Sequence, residues 1–395
     1  MRLIKTFKKI ISLIFVIMFF LNSFVFTNTI TRAEEIPNLN LMSRSVVLME
    51  PNTGQVLFSK NEHEKLSPAS VTKIMTILLI YEALHQGKIK FNDTVTISEH
   101  AAEMGGSQVF LESGEQQSVK NLLKSIIIPS GNDASVAMAE FIGGSEENFV
   151  NLMNKKAKKL GMKNTFFLNS CGLTADGHET TAYDIALMTR ELINKYPDVL
   201  DYSKIWQDKI THVTRRGESE FVLTNTNKLL KIYNGANGLK TGFTDKALFC
   251  LSATAERDGM NLIAVIMASP TAKDRFAEAS KLLDYGFANY CVIYGEPTGT
   301  ITGEVKIYKG KQEKVGVSIE KQAGVLVNKS SRKNLKSKFI FDKKIFAPIL
   351  KNQKLGEIIY YIDNREVARS NLISTQDIAK ANIFDIFSRL IRRIF

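Results

Sequence analysis

Cysteine is scarce: three residues in a chain of 395, at Cys171, Cys250 and Cys291, in unlike contexts and without a C-x-x-C pair. That excludes a zinc-binding module and a dense disulfide framework, and a chain of this length buries enough core to need neither. Histidine is also sparse, and His63, His85, His100, His178 and His212 stand apart from one another. No metal site is expected. The chain has no G-x-S-x-G elbow, which removes the usual sequence basis for a Ser-His-Asp hydrolase. Long repeats and low-complexity tracts are absent as well, so neither a solenoid nor a disordered linker protein is indicated.

The formal net charge is +12, but it is unevenly spread. Residues 34–290 are slightly acidic, and the basic surplus lies at the N-terminus and beyond 290. A nucleic-acid protein concentrates positive charge on the region carrying its motifs, so no nucleic-acid partner is expected. The basic C-terminal part suits an anionic surface such as wall polymer or lipid headgroups.

Arg2, Lys5, Lys8 and Lys9 precede an apolar run over 10–26, and Thr31-Arg32-Ala33 approximates a signal-peptidase site. Residues 1–33 are therefore expected to be a signal peptide, with an uncleaved membrane anchor as the alternative. Both readings export the remainder to the outer face of the cytoplasmic membrane or the cell wall.

After the leader, strand patterns at 45–50 and 55–59 flank Pro51-Asn52-Thr53-Gly54, a hairpin turn sequence. Helical periodicity predicts a largely buried helix over 70–86, then helices over 119–128, 134–142, 146–160 and 182–196. Strands return at 209–214, 220–223, 249–254 and 261–267, and a helix over 273–288 closes the region. This order predicts a sheet whose first hairpin and later strands are separated by a helical insertion. Tyr294-Gly295-Glu296-Pro297-Thr298-Gly299 reads as a linker, followed by short β-rich runs between 301 and 369. In 379–395, Ile383, Phe387, Leu390, Ile391 and Ile394 fall on one face, with Arg389, Arg392 and Arg393 elsewhere. Such a basic amphipathic helix docks either on its own protein or on a membrane surface, and the export signal favours the membrane.

Three short motifs carry chemistry. Ser70-Val71-Thr72-Lys73 is an S-x-x-K at a helix start, where a three-residue offset returns the amine to the hydroxyl. A serine is a weak nucleophile until a base takes its proton, and a desolvated lysine can do so. Alone, however, the pair reads as a helix cap followed by a solvated lysine. Ser130-Gly131-Asn132 lies in a polar loop between helices: as chemistry, Ser130 would pass a proton to the leaving amine and the Asn132 amide would hold Lys73 and a substrate carbonyl. Lys240-Thr241-Gly242 opens a strand, supplying a cation and a hydroxyl for a carboxylate beside a glycine that permits close approach.

S-x-x-K, S-G-N and K-T-G in that order form the signature of penicillin-binding proteins and β-lactamases. The chain resembles the low-molecular-mass D-alanyl-D-alanine carboxypeptidases of serine peptidase family S11 over nearly its whole length. The resemblance is strengthened by residues 167–173 and 178–184 and by Gly238-Leu239-Lys240-Thr241-Gly242-Phe243-Thr244. It implies an α+β, multidomain chain: a β-lactamase/transpeptidase-like catalytic domain over 34–290, a small C-terminal β-domain over 291–372 and an amphipathic tail over 373–395. It further implies removal of the terminal D-alanine of peptidoglycan stem pentapeptides, inhibition by β-lactam antibiotics, and no cofactor. By the same resemblance Ser70 is the acylated nucleophile, Lys73 its base, Ser130 a proton relay, and Asn132 a catalytic amide. Lys240, Thr241 and Gly242 bind substrate, the backbone N–H groups of Ser70 and Phe243 form the oxyanion hole, and Arg275 stands near the carboxylate pocket unless it is simply an exposed helix residue. Two positions depart from the family pattern, Leu248 where glycine follows Ala247 and Ser170 where proline follows Asn169. A class A β-lactamase would need an E-x-x-L-N run, which is lacking; Glu146 and Glu147 read instead as helix-surface residues. A catalytically silent wall-binding protein is the alternative of a different class.

Overall fold

The computed structural model describes residues 38–215, 217–331 and 335–394, so the expected leader and its cleavage site lie outside the described residues. Two strands come first, β1 (Ser45–Met49) and β2 (Val56–Lys60). A single 3-10 turn, Ala69–Thr72, runs straight into α1 (Lys73–His85). Four longer helices follow: α2 (Val119–Ile127), α3 (Asn132–Gly143), α4 (Glu146–Lys159) and α5 (Ala182–Lys195). A hairpin, β3 (Gln207–Thr214) and β4 (Gly217–Thr224), precedes the long strands β5 (Ala236–Thr244), β6 (Leu248–Arg257) and β7 (Met260–Ser269), and α6 (Ala272–Asn289) ends this part.

The expected split sheet is present, antiparallel throughout, in the order β2-β1-β7-β6-β5. Successive strand side chains point to opposite faces, and here both faces are covered. On β1, Val46 and Leu48 pack with the α6 residues Phe276, Ala279, Leu282, Leu283 and Phe287, while Val47 and Met49 join the core of the helical block. On β7 the same alternation sends Leu262, Ala264 and Ile266 to the α6 side and Ile263, Val265 and Met267 to the other. Each of the larger of these side chains, Val, Leu, Ile, Met or Phe, contributes about 1.5–3 kcal/mol by leaving water. The helix α1 is apolar around its whole circumference, with Ile74, Met75, Ile77, Leu78, Ile80 and Tyr81 all buried, as a helix at the centre of a layer must be. Of the helices around it, α2, α4 and α5 are amphipathic and start on side-chain caps: Ser118, Ser145 and Thr181 accept from the backbone N–H three residues on, and Thr271 does the same for α6. The β3–β4 hairpin pairs only with itself and does not join the sheet.

Beyond α6 the chain enters β8 (Tyr290–Tyr294) at once, so the expected boundary at 291 falls inside a strand that pairs with residues 324–328. The remaining strands are β9 (Ile301–Tyr308), β10 (Lys314–Ile319), β11 (Gly324–Asn328), β12 (Lys336–Phe341), β13 (Ile345–Phe346), β14 (Lys354–Ile362) and β15 (Arg365–Ser374). Six of them form a sheet in the order β12-β14-β15-β10-β9-β13 around its own apolar core. The expected boundary at 372 likewise falls within β15, and Ile378, buried in that core, bridges to Ile349. The tail helix α7 (Ile383–Ile394) begins at a reciprocal cap between Asn382 and Asp385. Its Ile383, Phe384 and Phe387 are 81, 83 and 63% exposed, so this face does not dock on its own protein. No described helix is long and apolar enough to cross a membrane.

Candidate active site

Ser70 sits in the 3-10 turn, half-buried, and makes no helix-capping hydrogen bond. Its side chain is therefore not spent on the local structure. Lys73, the first residue of α1, is fully buried, and its Nζ donates to Ser70 Oγ at 3.0 Å, to Asn132 Oδ1 at 2.6 Å and to the Cys171 carbonyl at 2.8 Å. Burial pulls the Lys73 ammonium down from its ordinary 10.5 to about 8, against opposing attractions from Cys171 and Asp133. An amine at that value exchanges protons readily near neutral pH, as a base for a serine hydroxyl must.

Asn132 is placed by its position at the start of α3. Its side-chain Nδ2 donates to the Gly105 carbonyl at 2.6 Å and its backbone N–H to Ser107 at 2.7 Å, which fixes the amide orientation that offers Oδ1 to Lys73. Next to it Asp133 is buried, accepting the backbone N–H groups of Val109, Leu111 and Ala134. It thereby ties the loop over 105–111 to α3. Burial raises its carboxyl, and those backbone donors oppose the rise. Ser130 lies two residues before Asn132 at φ 74, a left-handed conformation, and its buried Oγ has no hydrogen-bond partner among the described residues. A buried hydroxyl without a partner costs free energy unless a ligand supplies one.

The third motif lies on the edge strand β5. Gly242 backs directly onto the Ser70 turn: a Cβ there would stand 2.9 Å from the Pro68 carbonyl and 3.1 Å from the Ser70 nitrogen. Only glycine lets the strand come this close. Lys240 is buried, donates to the Thr241 carbonyl at 3.2 Å, and is driven well below its ordinary value by burial and then by the positive charges of Lys73 and Arg275. Thr241 shares a hydroxyl hydrogen bond of 2.6 Å with Thr226. Phe243 turns its ring outward, 49% exposed, against Phe249 with centroids 4.5 Å apart. Arg275 is not an exposed helix residue: it is buried, donates from Nη1 to the Gly242 and Cys250 carbonyls at 3.1 and 3.2 Å, and lies over Phe249 and Phe276. It pins the strand edge from behind.

Several contributors carry no motif. His178 is buried; its Nδ1 accepts the Leu168 N–H at 3.2 Å, so Nε2 carries the proton donated to Thr72 Oγ1 at 2.9 Å. Burial lowers it to about 4, so it is a neutral brace for the 3-10 turn. Glu146, expected on a helix surface, reaches across and accepts both the Ser170 N–H at 2.9 Å and its hydroxyl at 2.7 Å. Ser170 in turn offers its carbonyl to Thr76 and Ser135, and the next carbonyl is the one that holds Lys73. The signal in sequence was the Ser170 departure itself, since proline has no N–H for Glu146 to accept.

Residues 30–271 match the family model described as D-alanyl-D-alanine carboxypeptidase, and 297–380 match that of the penicillin-binding protein 5 C-terminal domain. Among curated proteins the chain is 45% identical over 348 residues to D-alanyl-D-alanine carboxypeptidase DacF of Bacillus subtilis, covering 88% of each chain. It is 35% identical to DacD of Escherichia coli, covering 87% of this chain and 89% of the relative. Among solved structures, penicillin-binding protein 5 from Haemophilus influenzae superposes with a TM-score of 0.70 at 33% identity, covering 86% of this chain and 98% of that one. The fold is thus the transpeptidase/β-lactamase-like one expected, with the additional C-terminal β-domain. By its family model, its relatives and its fold, the chain belongs to the D-alanyl-D-alanine carboxypeptidase family.

Proposed function

We propose that this chain is a serine-type, penicillin-sensitive carboxypeptidase that removes the terminal D-alanine from peptidoglycan stem pentapeptides. The observation that carries the reading is the buried Lys73 amine, 3.0 Å from a serine hydroxyl that caps nothing. Ser70 Oγ attacks the penultimate D-alanine carbonyl as its proton passes to Lys73, and the oxyanion lies between the Ser70 and Phe243 N–H groups. The C–N bond breaks, and the departing D-alanine amine takes a proton through Ser130, whose hydroxyl is otherwise without a partner. Water then attacks the Ser70 ester and releases the shortened peptide. Asn132 orients Lys73 and the substrate backbone, and Lys240 with Thr241 meets the terminal carboxylate. That anion restores the charged state burial disfavours in Lys240. Arg275 acts through the Gly242 carbonyl as a positioning residue.

In this reading the catalytic part runs through α6 and the β-domain to Ala381, in a chain exported to the outer face of the membrane, with α7 lying on the lipid surface. Labelled benzylpenicillin is expected to modify Ser70, located by mass spectrometry, and a pentapeptide ending in D-Ala-D-Ala to lose one D-alanine. A folded sample giving neither adduct nor D-alanine overturns the reading, and rapid penicillin turnover would make it a β-lactamase instead.

A further inference from the structure

The lower edge of the C-terminal sheet breaks the pattern of a half-exposed strand. From 345 to 350 burial alternates strictly: Ile345, Ala347 and Ile349 point inward, while Phe346, Pro348 and Leu350 point outward. An inward apolar row needs no explanation. The outward row should be polar, yet Phe346 is 49% and Leu350 68% exposed. Moreover β13 is an edge strand, pairing on one side only with β9, and soluble proteins protect such edges with charge rather than with exposed aromatic and aliphatic side chains.

What flanks the row points to its partner. Lys343, Lys344 and Lys351 are exposed on either side of it, and Lys380 lies on the neighbouring segment, with Asp342 and Asp377 the acids nearby. The segment is joined directly to the chain that leads into the tail. Ile349 and Ile378 exchange backbone hydrogen bonds of 2.9 Å, the Lys351 N–H donates to Asp377 at 2.7 Å, and the Ala381 N–H donates to the Lys309 carbonyl immediately before α7. Apolar side chains ringed by lysines, continuous with an exposed amphipathic helix, form the combination that inserts at an anionic lipid interface.

We infer that residues 343–351 are a second lipid-contacting surface, which together with α7 seats the β-domain on an anionic membrane. The inference rests on the reading of α7 as a membrane-surface helix, and the two fail separately. The probe is sedimentation with vesicles of phosphatidylglycerol and phosphatidylcholine, using the chain without its leader. The full-length variant Phe346→Ser/Leu350→Ser should bind roughly tenfold more weakly, and Lys343→Ala/Lys344→Ala/Lys351→Ala should lose about fivefold per lysine at low salt. Benzylpenicillin acylation, far from these positions, should stay at the parent rate and so report an intact fold. A chain ending at Ala381 should keep weak, salt-sensitive binding that the Phe346→Ser/Leu350→Ser change removes. Parent-like vesicle binding by both full-length variants overturns the inference, as does weakened binding to isolated anionic cell wall without weakened binding to vesicles. Unchanged binding on deletion of α7 would instead remove the tail reading.

Discussion

In the proposed mechanism Lys73 combines two demands that oppose each other in water: it must be close enough to Ser70 to take a proton, and uncharged often enough to accept it. Complete burial meets the second by lowering the amine to about 8. The neutral fraction falls tenfold for each pH unit below that value, so the second-order rate of acylation by benzylpenicillin is expected to rise with pH through the neutral range and level off above about 8. Lys73→Ala should lose about 10²–10⁴-fold in that rate and lose the pH dependence with it. Leu248 shows a different kind of tension. It occupies φ 55, where a side chain costs about 1–2 kcal/mol, at the position where the family pattern has glycine. Leu248→Gly should therefore raise stability by up to about 1 kcal/mol in thermal melts, the gain being reduced by lost contacts of a side chain that is already 37% exposed.

At the scale of elements, the site is assembled by four pieces that do not neighbour each other in sequence: the 3-10 turn, the start of α3, the loop over 169–173 and the edge of β5. The loop is held by Glu146 of α4, through two hydrogen bonds to Ser170. Glu146→Ala should leave the Ser170 N–H and hydroxyl without their acceptor, costing about 1–3 kcal/mol. It should also let the Cys171 carbonyl drift from Lys73, slowing acylation on the order of tenfold. Rescue of the rate by Glu146→Gln, which keeps an acceptor, would separate positioning from a general loss of fold. The helices and sheet strands were legible in sequence because their apolar periodicity is strong and their caps are local. The three motifs were legible because their chemistry is compressed into three or four residues each. Glu146 and Asp133 were not, because each acts across a long sequence separation on backbone groups, which leave no residue type to read, and His178 was not, because the Thr72 hydroxyl it braces lies in a distant part of the chain. Arg275 stood between two readings for the same reason: its partners are the carbonyls of Gly242 and Cys250.

For the whole molecule, the position of the last buried residues decides where the chain can be cut. Ser374 and Ile378 are buried in the β-domain, whereas Ile383, Phe384 and Phe387 of α7 are exposed. A chain ending at Ala381 is expected to melt at the parent temperature with full activity, and one ending at Ile373 to lose about 2–5 kcal/mol of β-domain stability through the missing Ile378. The central sheet has a consequence in time as well as in space. Residues 45–49 pair with 263–267, so the first strand made waits for the last of its sheet. Until then the β1–β2 hairpin has an open edge, and the Ser70 turn lacks the β5 strand that Gly242 brings against it. Such long-range closure is slow relative to local helix formation. In the proposed mechanism the nascent chain thus carries Ser70 from the start but can acylate only after residue 269, the end of β7, has emerged, a built-in delay between synthesis and activity.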